Sequence, residues 1–189
     1  MPSRKRRQRT TSAEEKMKAR ENTINKVRFI CLAALIAALY VVLTSFTITP
    51  FAGIQIRFAE MLIVLAFVFP AAVPGLTLGC LLSNMLTSCL PLDIIFGTLA
   101  TFIGAMGAYL LGKMKNRKIA RWLCTIPNII SNTIIVSIVC YICYTPVSNQ
   151  NISTILLYVA TIGIGEIISC GIFGTVFLMG AEKTLRRLT

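Results

Sequence analysis

Long apolar runs fill the chain from residue 29 to residue 180, and the basic residues lie almost entirely outside them. Of the 19 lysines and arginines, only Arg57 lies away from the three basic segments at residues 4–28, 113–121 and 183–187. With 14% charged residues and a mean hydropathy of +0.76, the chain lacks the charged surface of a soluble domain. Basic segments beside apolar runs are typical of the cytoplasmic flanks of membrane helices. They favour a membrane protein over nucleic-acid binding by a basic arm.

Six of the apolar runs are candidate membrane spans. They cover residues 29–47, 58–69, 75–90, 92–111, 122–144 and 152–180. A helix needs about 20 apolar residues to cross the hydrocarbon core, so the second run, with about 12, predicts a short or tilted helix. The sequence therefore predicts an all-α membrane protein with a bundle of six transmembrane helices.

The charge distribution predicts the orientation of this bundle. Six crossings place both termini on one side of the membrane, and all three basic segments then share that side, as the positive-inside rule requires of the cytoplasm. The loops 48–56 and 145–151 contain no Lys or Arg. We expect residues 1–28 to form a cytoplasmic tail, disordered or helical on a surface, residues 29–182 to form the membrane domain, and residues 183–189 to form a basic cytoplasmic end. The N-terminal region lacks a signal-peptide cleavage pattern, so we expect the first span to be retained.

Apart from Glu182, which adjoins the last basic segment, four charged residues lie outside the basic segments: Arg57, Glu60, Asp93 and Glu166. A charge at mid-membrane costs about 2.5–3.5 kcal/mol, so such residues are candidates for function. Arg57 and Glu60 could instead form an ion pair at the water interface, since they are three residues apart on one helix face. Asp93 could cap the fourth helix. Glu166 lies about 20 Å into the last run, where neither explanation applies, and is the strongest candidate for contacting a ligand or an ion.

Three asparagines inside the apolar runs add weaker signals. Asn84 lies in the third run, and Asn128 and Asn132 lie in the fifth, with Asn132 at about the depth expected for Glu166. Hydrogen bonds between helices are the common role of such amides in membranes, worth about 0.6 kcal/mol per pair. An interhelical bond and a ligand contact both remain open for Asn132 beside Glu166.

Small residues on the first helix form two overlapping pairs, Ala33–Ala37 and Ala34–Ala38. Such pairs let another helix approach closely, either within the bundle or from a separate membrane subunit. The seven cysteines lie mostly in apolar runs, and the chain has no histidine. This composition predicts neither a metal site nor a cofactor.

Several segments together resemble the QueT family of queuosine-precursor transporters. They are IQIRFAE at 54–60, FPAAVPGLTLGC at 69–80, Asn84, LDIIFGTLAT at 92–101 and Gly165–Glu166. Their order and spacing match the family over roughly residues 29–182, whereas the basic tail lies outside the resemblance. Members of this family are S components, the substrate-binding subunits of energy-coupling-factor (ECF) importers.

The resemblance implies a non-enzymatic six-helix protein, with no catalytic residues, in the bacterial cytoplasmic membrane. It implies a binding site for a small molecule near the outer face, and a separate transmembrane T subunit and two cytoplasmic ATPases as partners. The small-residue pairs of the first helix (Ala33, Ala37, Ala34 and Ala38) would dock on the T subunit. The alternative is an S component or a small transporter for another vitamin or purine-like micronutrient.

The chemistry of a deazaguanine suits the polar residues that the sequence analysis identifies. We expect the ligand contacts to come from Glu166, Asp93, Glu60, Arg57, Asn84 and Asn132. A carboxylate can accept both adjacent N–H donors of the Watson–Crick edge, and Glu166 is the first choice for that role. Asp93 or Glu60 could hold an aminomethyl cation, and Arg57 or Asn84 could donate to the carbonyl oxygen. We therefore expect Glu166→Gln to fold but to lose deazaguanine binding.

Overall fold

The computed structural model of the protein describes residues 4–51, 54–87 and 90–185. Residues 52–53 of the predicted loop 48–56, residues 88–89 near the end of the third run, and the arginines at 186 and 187 lie outside the described residues. The α-helices are α1 (Arg4–Thr44), α2 (Ala72–Leu86), α3 (Pro91–Gly112), α4 (Arg117–Leu123), α5 (Ile126–Tyr144), α6 (Ile152–Glu166) and α7 (Thr175–Leu185). A π-helical segment (Ile167–Gly174) joins α6 to α7.

The prediction of an all-α membrane protein is confirmed. In the described part of the chain, four helical stretches are long and apolar enough to cross a membrane: Glu14–Thr44, Pro91–Gly112, Arg117–Tyr144 and Ile152–Ala181. Two shorter apolar helices, Phe58–Phe67 and Ala72–Leu86, account for the second and third predicted runs. The number of crossings, six, stays a prediction.

The second apolar run forms a 3-10 helix, Phe58–Phe67, instead of an α-helix. A 3-10 helix rises about 2.0 Å per residue, so its ten residues extend about 20 Å where an α-helix would extend about 15 Å. Eight of the ten residues are buried, including Leu62 and Val64. Apart from Glu60, the run is apolar on all sides, as expected for a helix that protein surrounds. Its extended geometry partly compensates for its small number of residues.

The first helix begins at Arg4 and continues without a break to Thr44. The basic segment is therefore helical, and the side chains from Glu14 to Ile30 are exposed. After Thr44 the chain forms a small antiparallel hairpin, β1 (Ile48–Phe51) and β2 (Ile54–Ile56), where the sequence analysis expected a loop. The hairpin returns the chain to Arg57 at the start of the 3-10 helix.

Helices α1 and α2 pack through small residues on both sides. A Cβ added at Gly75 would lie 2.7 Å from the carbonyl oxygen of Ala33, and one added at Gly79 would lie 3.0 Å from that of Ala37. Ala33 and Ala37 are thus buried against α2 in this structure. Ala34, on the same helix, is exposed and remains available to a partner.

The contact between α3 and α5 also depends on a glycine. A Cβ added at Gly104 would overlap the Asn128 side chain, which is itself fully buried. We expect Gly104→Ala to destabilise the protein by about 1–3 kcal/mol, because the overlap would force the two helices apart. Gly180→Ala is the matched control, since nothing lies within 4 Å of a Cβ at that position. Thermal unfolding in detergent measures both variants, and equal melting temperatures would contradict the packing argument.

Candidate functional site

A polar cavity of about 400 Å³ opens at the end of the bundle opposite the basic segments at residues 4–28 and 113–121. Its lining comes from the ends of α1, α2, α3 and α5 together with the start of the 3-10 helix: Thr44, Thr47, Arg57, Asn84, Thr87, Asp93, Val136 and Tyr144. This volume lies within the usual range for small-molecule sites, about 300–1,000 Å³. The cavity brings together three of the residues that the sequence analysis proposed as ligand contacts: Arg57, Asn84 and Asp93.

Arg57 is held in this cavity from two sides. Its Nη2 donates to Asn84 Oδ1 at 3.4 Å, and its backbone N–H donates to Ser169 Oγ at 3.1 Å. The first bond fixes the guanidinium against α2, and the second ties the backbone to the π-helical segment. A guanidinium carries five N–H groups, and one of those of Arg57 is used in the bond to Asn84.

Asp93 lies in the first turn of α3, where a negative charge is favoured by the helix dipole. It does not cap the helix, because the N-cap is Leu90 and makes no side-chain capping bond. Instead, Asp93 Oδ2 accepts a hydrogen bond from Tyr144 Oη at 3.2 Å, which links α3 to the end of α5. The carboxylate has further lone pairs that can face the cavity.

The threonines of the cavity present hydrogen-bond acceptors. Thr44 Oγ1 donates to the carbonyl oxygen of Tyr40 at 2.9 Å, and Thr47 Oγ1 donates to that of Thr44 at 2.7 Å. Thr87 Oγ1 likewise donates to the carbonyl oxygen of Ser83 at 2.9 Å. Since the hydroxyl hydrogens of Thr44 and Thr47 are used in these bonds, the lone pairs of their oxygens can accept from a ligand. The cavity therefore suits a molecule that carries several N–H donors.

A second polar group, the acid cluster, lies deeper in the bundle and consists of Tyr40, Glu60, Asn128 and Glu166. Glu60 is only 1% exposed; its Oε1 accepts from Tyr40 Oη at 2.5 Å and its Oε2 accepts from Asn128 Nδ2 at 3.1 Å. The same Nδ2 lies 3.4 Å from Glu166 Oε2. One amide thus joins carboxyl groups from two elements that are distant in sequence.

The depth of Glu60 differs from the interface position that the sequence suggested. A rise of about 2.0 Å per residue carries Glu60 about 6 Å past Arg57 along the 3-10 helix, into the bundle interior. Its hydrogen bonds come from neutral donors on α1 and α5. Sequence reasoning missed Tyr40, because an aromatic residue in an apolar run gives no sign that its hydroxyl has a carboxylate partner.

Glu166, the first choice from the sequence, is buried but does not line the polar cavity. It ends α6, and the π-helical segment begins at the next residue. Asn132 lies beside its carboxyl group, as the expected depths predicted. π-helical turns occur frequently at functional sites, so the change of helix geometry at Glu166 is a signal that the sequence did not reveal.

Comparison with known proteins decides the family. A sequence profile described as "QueT transporter" matches residues 30–183, which is most of the chain. The chain belongs to the QueT transporter family. QueT proteins are the substrate-binding S components of ECF importers and take up queuosine precursors, so the family predicted from the sequence is confirmed. No curated protein and no solved structure matches this chain.

Membership in the QueT family fits the arrangement of the two polar groups. A transporter subunit needs a ligand site that opens at one end of its bundle, and the polar cavity opens at one end. The profile match begins inside α1 and leaves the basic segment before residue 30 outside it. The acid cluster and every residue of the polar cavity lie within the matched region.

Proposed function

We propose that the polar cavity is the site where this QueT protein binds the queuosine precursor. The observation that supports the proposal is the combination of one cation, Arg57, and one anion, Asp93, in the lining of a single cavity of suitable volume. A deazaguanine base carries a carbonyl oxygen beside two N–H donors on its Watson–Crick edge. A guanidinium and a carboxylate recognise these two features with charge-assisted hydrogen bonds.

In this proposal Arg57 donates to the carbonyl oxygen of the base, and Asn84 holds the guanidinium in position. Asp93 accepts the paired N–H donors, the role that the sequence analysis gave to Glu166. The hydroxyl oxygens of Thr44 and Thr47 accept the remaining donors, and the ring of Tyr144 supplies an apolar face for the base. The remaining predicted contacts lie deeper in the bundle than the cavity and, in this proposal, do not touch the ligand. They are Glu60, Glu166 and Asn132.

We further propose that the cavity faces the outside of the bacterial cytoplasmic membrane and that both termini lie in the cytoplasm. The positive-inside rule supports this orientation, because the basic segments lie at the opposite end of the bundle. Six crossings follow if the 3-10 helix and α2 each span the membrane. We infer that the protein has no catalytic activity of its own and that a T subunit and two ATPases drive transport.

The T subunit would dock on the exposed face of α1. Ala34 and Ala38 form the small-residue pair that the internal packing leaves exposed. Small residues four positions apart allow a second helix to approach the backbone closely. The proposed docking surface therefore contains two of the four alanines that the sequence suggested, Ala34 and Ala38.

The role of Asp93 is tested by a change of ligand preference. We expect the protein to bind a deazaguanine about 10- to 100-fold more tightly than the same base without its exocyclic amino group, because a paired carboxylate contact discriminates by about 1–3 kcal/mol. Asp93→Asn should lose most of this preference. Isothermal titration calorimetry on the purified chain measures both ligands. If Asp93→Asn keeps the preference for the base with the amino group, another residue must accept the paired N–H donors.

A further inference from the structure

Two buried carboxyl groups share a single amide donor in the acid cluster. Asn128 Nδ2 is within 3.4 Å of an oxygen of Glu60 and of an oxygen of Glu166, and the two acids are 1% and 7% exposed. The two carboxyl groups are close together because both have an oxygen next to the same nitrogen atom. If both were ionised they would repel each other, and the repulsion is strongest where water is excluded. One proton bound by the pair removes that repulsion.

The charges of the neighbouring groups also indicate that the two carboxyl groups hold one proton between them. The titratable groups that face the two carboxyls are Tyr40 from α1, Cys80 from α2, Cys170 from the π-helical segment, and Arg57. Among these neighbours in the described part of the chain, Arg57 is the only cation. Two ionised carboxylates would therefore leave one uncompensated negative charge inside the bundle, at a cost of several kcal/mol.

The hydrogen bonds distinguish the two acids. Glu60 accepts well-formed bonds on both oxygens, from Tyr40 and from Asn128. Glu166 receives the longer branch of the Asn128 bond. Asn132 lies beside Glu166 and is 4% exposed, but its Nδ2 makes no well-aligned hydrogen bond to the described residues. The negative charge of the pair is therefore better compensated on the Glu60 side than on Glu166.

We propose that the two acids bind one proton between them at neutral pH and that Glu166 holds it, so that the pair carries a single negative charge beside Arg57. The proton comes from water, and its binding leaves the acid cluster and Arg57 together without net charge. A cluster without net charge lowers the cost of placing two acids inside a membrane. The proposal goes beyond the ligand site, because it concerns the protein before any substrate is bound.

Infrared spectroscopy of the substrate-free protein tests the proposal. The full chain is purified in a detergent without ester carbonyls, so that protonated carboxyl groups are visible. We expect one protonated-carboxyl band at neutral pH, and we expect it to shift when the protein is made with ¹³C-labelled glutamate. Glu166→Gln should abolish the band, whereas Glu21→Gln, which changes an exposed acid of α1, should leave it intact.

A missing band in the wild-type protein, a band that ¹³C-glutamate does not shift, or a band that Glu166→Gln retains would each overturn the proposal. The labelling arm needs no variant, so the claim that a glutamate holds the proton is tested even where the substitution prevents folding. The infrared experiment contains no substrate, so a negative result does not bear on the proposed ligand site. A negative result in the binding experiments, in turn, does not bear on the proposed protonation of Glu166.

Discussion

Arg57→Gln is expected to weaken deazaguanine binding by about 10- to 100-fold. A hydrogen bond from a charged donor contributes about 1.5–3 kcal/mol, and each 1.4 kcal/mol is about a factor of ten in affinity. Arg57 is the only cation among the residues of the polar cavity that the structure describes, so no neighbour can replace it. Isothermal titration calorimetry on the purified chain gives the dissociation constants.

Two further variants make the result specific. Arg57→Lys keeps the charge but loses the planar fork of donors, so its affinity should lie between those of the wild type and Arg57→Gln. Lys115→Gln removes an exposed cation at the other end of the bundle and should bind as the wild type does. Equal affinity of Arg57→Gln and the wild type would exclude the guanidinium from the ligand site.

Glu60→Leu is expected to destabilise the protein by about 1–3 kcal/mol. Leucine cannot accept the hydrogen bond from Tyr40, and a buried donor that loses its partner costs about 1–3 kcal/mol. Asn128 loses its shorter bond but keeps the longer one to Glu166. The position is 1% exposed, so water cannot replace the lost acceptor. Thermal unfolding in one fixed detergent measures the loss.

The double variant Tyr40→Phe with Glu60→Leu separates the lost hydrogen bond from the change of shape. Removing the Tyr40 hydroxyl removes the donor that Glu60→Leu leaves unpaired, so the double variant should be more stable than Glu60→Leu alone. If both variants melt at the same temperature, the bond between Tyr40 and Glu60 contributes nothing to stability. A Glu60→Leu protein as stable as the wild type would contradict the account of the acid cluster.

The fold class could be predicted from the sequence because the membrane imposes a simple pattern. Apolar runs bounded by prolines and basic segments mark helices, and the structure has helices in all six runs. The type of helix could not be predicted for residues 58–67, since a 3-10 and an α-helix bury the same apolar residues when protein surrounds them on all sides. The hairpin near residue 50 was missed for a related reason, because Pro50 indicates a turn but does not say that two strands pair.

The candidate site was only partly predictable. Sequence position gives the depth of a residue along its own helix, so Asn132 could be matched to Glu166. It does not show which face of a helix meets a cavity, and Glu166 proved to be buried outside the polar cavity while Asp93 lines it. The ambiguity of the alanine pairs had the same origin. The close contacts of Ala33 with Gly75 and of Ala37 with Gly79 show which pair packs within the bundle.

Identifying the small molecule that co-purifies with the protein tests the central claim most directly. The wild-type chain and Arg57→Gln are purified in parallel without added ligand, extracted, and compared by mass spectrometry. We predict a deazaguanine in the wild-type extract, in amounts approaching one per protein, and its loss from the variant. A different compound in the wild-type extract, or a deazaguanine retained equally by Arg57→Gln, would contradict the assignment of the polar cavity as the queuosine-precursor site.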